Sequence, residues 1–119
     1  MSSTVLERNA AAEVVCWVRD QLRFSDVDIG AAVHADQRTV RRWSEGRVAP
    51  RGCYRDKIEQ LRSLKHLLIA VFGTGEAAAT WMNVPLPALR GRTPGAAFRA
   101  GRVTQLIDML ATIESAAFI

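Results

Sequence analysis

From Ser25 to Arg47 the chain runs S-D-V-D-I-G-A-A-V-H-A-D-Q-R-T-V-R-R-W-S-E-G-R. Ser25 is placed to cap a short helix whose apolar marks are Ile29, Ala32 and Val33. His34-Ala35-Asp36 breaks that pattern, and a second helix begins where the Asp36 carboxylate can accept backbone N–H bonds. The order is helix, three-residue turn, helix. In the second helix Val40 and Trp43, three apart, share one face, while Gln37, Arg38, Arg41 and Arg42 occupy the other. Gly46 stops it. A helix anchored by a valine and a tryptophan, with arginine and glutamine outward, is what a major groove requires. Guanidinium groups match guanine edges and a carboxamide matches adenine.

The charge distribution points the same way. Of a net +4, the residues Arg38 to Lys57 hold seven basic and two acidic side chains, a local +5 that leaves −1 for everything else. A basic run that coincides with a helix-turn-helix pattern is best explained as a phosphate-facing surface. The loop Arg47-Val48-Ala49-Pro50-Arg51-Gly52, broken by Pro50 and Gly52, would lie close to a DNA backbone if the second helix is inserted, so Arg47 and Arg51 are positioning groups rather than base readers. The candidate set for double-stranded operator DNA is Gln37, Arg38, Thr39, Arg41, Arg42, Arg47 and Arg51. The run T-V-R-R-W-S-E-G from Thr39 to Gly46 resembles the Xre-type helix-turn-helix. That motif usually has glycine where His34 stands, and histidine is among the residues enriched at positive φ.

Upstream, Thr4-Val5-Leu6-Glu7 fits a capping box that opens a helix to about Arg23, with an apolar stripe of Leu6, Ala10, Val14, Trp17, Val18 and Leu22 facing the helix-turn-helix. Downstream, a long helix from about Tyr54 to Phe72 repeats Ile58, Leu61, Leu64, Leu68 and Val71. Leu67, Ile69 and Phe72 widen its stripe, so that it must bury two sides and bridge the DNA-binding half to the C-terminal half. His66 on this helix reads as a partly buried polar neighbour of the core. At Gly73-Thr74-Gly75 the composition changes, and Pro85, Pro87, Gly91, Pro94, Gly95 and Gly101 punctuate the remainder. The signals predict a helix from Thr74 or Gly75 to Trp81, one turn over Leu86 to Arg90, a short helix opened by Thr93-Pro94 and closed by Gly101, and a last helix over about Arg102 to Ala117. That last helix has the stripe Val103, Leu106, Ile107, Leu110 and Ile113. The expected fold is all-α, with a helix and helix-turn-helix domain over 1–56 and a small helical domain with a C-terminal tail over 57–119. The tail ends in Phe118 and Ile119, two large apolar side chains that need a burial site, either on the chain's own core or in a partner's pocket.

The residues from Ala79 onward, A-T-W-M-N-V-P-L-P-A-L-R-G-R-T-P and then F-R-A-G-R-V-T-Q-L-I-D-M-L, are similar to the toxin-binding domain of the Xre/MbcA/ParS antitoxins. Trp81, Pro87, Leu89, Gly91, Thr93, Pro94, Gly101, Val103 and Leu110 carry the likeness. It implies an antitoxin encoded beside a RES-domain toxin, a class that consumes NAD by hydrolysis, phosphorolysis or ADP-ribosylation. It also implies a homodimer whose C-terminal end blocks the toxin's NAD pocket, with toxin contacts at Trp81, Arg90, Arg92, Ser115, Phe118 and Ile119. Trp81, near Leu86 and Leu89, also reads as a core anchor.

Other classes find little support. Cys16 and Cys53 are far apart and lack metal-ligand spacing, so neither a zinc site nor a disulfide framework is expected. His34 and His66 stand near no Ser, Cys or carboxylate constellation, and no glycine-rich phosphate loop occurs, so no enzyme and no cofactor is expected. No apolar signal core or membrane-length segment is present, which places the chain in the cytoplasm with no membrane partner. The alternative function is a stand-alone transcription regulator whose C-terminal module serves dimerisation or effector binding.

Overall fold

Side-chain caps set where four of the helices begin. The computed structural model describes residues 3–116. All its regular elements are helical: α1 (Ser3–Gln21), α2 (Asp26–Val33), α3 (Gln37–Ser44), α4 (Cys53–Phe72), α5 (Gly75–Trp81), α6 (Pro94–Arg99) and α7 (Val103–Ala116). A single 3-10 turn at Pro87–Leu89 lies between α5 and α6. The Ser25 hydroxyl accepts from the Asp28 amide and the Asp28 carboxylate from the Ser25 amide, both at 3.1 Å, which closes a capping box on α2. Asp36, Thr74 and Thr93 cap α3, α5 and α6 through the same side-chain-to-amide bond, and Pro94 fills a first-turn position of α6 where no amide is needed.

The first helix departs from expectation. It begins at Ser3, so Thr4 and Glu7 lie inside it, and Glu7 is turned to the Arg55 guanidinium of α4 at 3.4 Å. Its buried residues are Ala11, Val14, Val15 and Val18, followed by Leu22 just past its end. Ala10 and Trp17 flank this face half-buried, with the Lys65 ammonium 5.7 Å from the Trp17 ring. Leu6 is 66% exposed. At about 100° per residue Leu6 points roughly 140° away from Ala11, so it lies on the far side of the helix from the core. Two further expectations fail for related reasons. His66 is exposed on the outer face of α4, and Ile113, beyond the buried run Val103, Leu106 and Leu110 of α7, is 44% exposed.

The long helix α4 does bury two sides. It packs most extensively along α7 and also meets α1, α2 and α5, with Ile58, Leu61, Leu64 and Leu68 buried. The boundary between 56 and 57 falls inside this continuous helix. Apolar side chains from before and after it form one cluster, and no polar or charged residue among the described residues is buried within it. Further ties run between α6 and the start of α2. The rings of Phe24 and Phe98 stack at 4.4 Å, and Arg99 donates to Asp28 at 3.1 Å while its guanidinium lies 4.9 Å from the Phe24 ring.

Candidate functional site

The second helix of the motif, α3, is held from behind and bare in front. Val40 and Trp43 are fully buried, and the Trp43 ring meets Tyr54 edge-on at 5.2 Å. The Tyr54 hydroxyl donates to the His34 carbonyl at 3.2 Å, which ties the turn to α4, and the Cys16 thiol donates to the Ser44 carbonyl at 3.4 Å. His34 adopts φ 62°, the left-handed conformation expected of this turn. The position that requires glycine is Gly30: the turn folds back over it, the Ala35 amide bonds its carbonyl at 3.0 Å, and a Cβ there would overlap the Ala35 carbonyl oxygen. The Thr39 amide donates to Asp36 at 2.8 Å, and this backbone bond is the main reason the Asp36 carboxyl is held below its usual 3.8.

Gln37, Arg38, Arg41 and Arg42 are all exposed on the outer face, with Thr39 half-buried on its flank. Arg41 lies 3.9 Å from the Asp26 carboxylate, which Arg19 approaches at 3.8 Å, and Arg47 pairs with Glu45 at 3.1 Å. Arg38, Arg42 and Arg51 have no ion-pair partner among the described residues. A hollow of about 410 Å³ beside α3 brings Thr39, Arg47 and Arg51 together with Thr4 and Arg8 of α1. Arg8 is not evident as part of this surface in the sequence, because local charge counting cannot show that α1 starts beside the basic loop.

The second half of the chain carries a cleft of about 600 Å³, lined by Arg90, Arg92, Arg102 and Gln105 together with Ala88, Leu89, Ala97 and Ala100. Its rim is a closed loop. The Leu86 amide donates to the Arg92 carbonyl at 3.0 Å and the Gly91 amide to the Leu86 carbonyl at 2.9 Å, with Arg90 in the left-handed region at φ 58°. Two of the expected toxin-contact residues, Arg90 and Arg92, therefore meet here. Trp81 and Ser115 do not line the cleft: Trp81 is half-buried with its ring 5.3 Å from Phe72, and Ser115 is exposed on α7. Phe118 and Ile119 lie outside the described residues.

Fold and surfaces together define a helix-turn-helix protein with an appended all-α module that presents an arginine-lined cleft. The chain belongs to the Xre/MbcA/ParS family of antitoxins. Residues 67–115 match the Xre/MbcA/ParS antitoxin C-terminal toxin-binding domain. The mycobacterial cidal antitoxin MbcA of Mycobacterium tuberculosis, and that of Mycobacterium bovis, is 30% identical over 106 residues, which span 87% of this chain and 93% of the relative. The fold is similar to a chain in the crystal structure of the M. tuberculosis MbcT–MbcA toxin–antitoxin complex. The TM-score is 0.63 at 24% identity, over 91% of this chain and 96% of that one.

Proposed function

We propose that this antitoxin neutralises a RES-domain, NAD-consuming toxin by placing its C-terminal end in the toxin's active site, and that it binds operator DNA through α3 to restrain its own operon. The observation that carries the reading is the order of the chain, a helix-turn-helix followed by a match to the toxin-binding domain over residues 67–115. The relative solved in complex with its toxin supports a protein partner of that kind. Exposure of Gln37, Arg38, Arg41 and Arg42 on a helix clamped by Val40 and Trp43 supports DNA recognition. One such helix reads few base pairs, so the operator-binding unit is a homodimer on a palindromic site. Phe118 and Ile119 supply the apolar end suited to filling a nucleotide pocket, at roughly 1.5–3 kcal/mol for each side chain fully buried.

Co-expression with the product of the adjacent gene tests the pairing, with copurification and restored growth as readouts. Deleting Phe118 and Ile119 should abolish protection while leaving operator binding and melting temperature nearly unchanged. Protection by the truncated chain at equal expression would rule out the active-site plug. Operator binding without any toxin partner would favour the stand-alone regulator instead.

A further inference from the structure

We propose that the cleft between the Leu86–Arg92 loop, α6 and the first turn of α7 receives carboxylate side chains of the toxin, as an electrostatic anchor separate from the C-terminal tail; the proposal rests on the antitoxin reading. Between Ala77 and Ile107 the chain has four arginines and no acidic residue. Arg99 is committed internally, bonded to Asp28 and lying over Phe24. The other three, Arg90, Arg92 and Arg102, have no ion-pair partner among the described residues, and all three line one cleft. Like charges gathered at one place repel, so the chain must hold them there. It does so with a loop closed by two backbone bonds, and it tolerates a left-handed Arg90, an uncommon conformation for a residue with a side chain.

The lining also says what kind of anion fits. Guanidinium forks pair bidentately with carboxylates as well as with phosphates. Here the apolar part of the lining is alanine and leucine, which suits the short aliphatic stems of Asp and Glu, and the lining has no aromatic ring on which a nucleobase could stack. Every lining residue comes from 88–105, within the segment that matches the toxin-binding domain and apart from the helix-turn-helix. An acidic segment of a protein partner is therefore favoured over nucleic acid. The reach of the toxin-binding surface then extends from Arg90 and Arg92 to Arg102 and Gln105.

The test uses the full-length chain and its purified toxin, with affinity measured at low and high salt for wild type, for Arg90→Gln/Arg92→Gln/Arg102→Gln and for an Arg23→Gln control. Wild-type affinity should fall as salt rises. The triple variant should bind about 100-fold more weakly and lose most of that salt dependence, with operator binding and melting temperature retained and the control unchanged. The salt titration of the wild-type complex needs no variant, so a flat response there overturns the anchor even if the triple variant folds poorly. A triple variant that binds the toxin like wild type overturns the anchor and leaves the antitoxin reading standing. Selective loss of operator binding, or tight binding of inorganic pyrophosphate that leaves toxin affinity untouched, assigns the cleft to phosphate and also overturns it. If the wild-type chain fails to bind the toxin at all, the antitoxin reading falls and the anchor with it.

Discussion

Gly30 carries more of the helix-turn-helix geometry than its neutral character suggests. Because the Ala35 carbonyl sits where a Cβ would be, Gly30→Ala must push the turn away from α2 and re-aim α3. The expected loss is about 1–3 kcal/mol of unfolding free energy, read by urea titration, with a parallel fall in operator affinity. Equal stability and affinity would show that the turn gives way without cost. Two carboxyls define the acid limb. Asp28 is opposed by burial, which alone would raise its pKa, but hydrogen bonds from Ser25 and the Arg99 guanidinium outweigh this and lower it; Asp36 is lowered chiefly by the Thr39 amide. Their folded pKa values lie below the unfolded ones, so their contribution is present above about pH 4 and is lost as pH falls through the folded values. Asn also caps helices, so Asp28→Asn/Asp36→Asn should be folded at pH 7 yet lose less stability than wild type between pH 5 and about pH 2. The two caps were legible in sequence, because Ser25 stands before the marks Ile29, Ala32 and Val33, and Asp36 before Val40 and Trp43. The need for Gly30 was not, since it arises from a chain reversal five residues later.

For α3 and the groove beside it, the direction in which each side chain points separates two kinds of effect. Arg41→Ala and Gln37→Ala should flatten preference among operator sequences. Arg51→Ala and Arg8→Ala should weaken all sequences alike and each reduce the salt slope by about 1. Competition titrations against scrambled DNA distinguish the two outcomes, and sequence-selective loss on removing Arg8 would take it out of the phosphate groove. Strong periodicity and cap residues made α2 to α7 readable. In α1 the expected stripe holds at Val14, Val18 and Leu22 and fails at Leu6, and it misses Ala11 and Val15, because large side chains outweigh small ones in a hydrophobicity pattern whereas burial there is governed by how closely α3 and α4 approach. Small residues permit that approach, and large ones are left at the edges.

Over the whole molecule, the Phe24–Phe98 stack and the length of α4 join the two halves into one core. Phe98→Ala should therefore cost about 3–5 kcal/mol and lower operator and toxin affinity together, within a single unfolding transition tracked by both calorimetry and tryptophan fluorescence. Two separated transitions would show that the halves melt independently. The arginine cleft could not be seen in sequence, because Arg92 and Arg102 meet only after the chain has turned through Gly91 and Gly101. The continuity of α4 also constrains how such proteins can diversify. Its residues from Arg55 to Lys65 lie against α1 and Phe72 against Trp81 of α5, while α7 packs extensively on it. A crossover between two related genes anywhere near residue 57 would set one parent's helix face against the other parent's neighbours. A workable recombinant must carry matching partners on both sides, so the helix-turn-helix and the C-terminal module are expected to be inherited together, with their outer surfaces changing by point substitution.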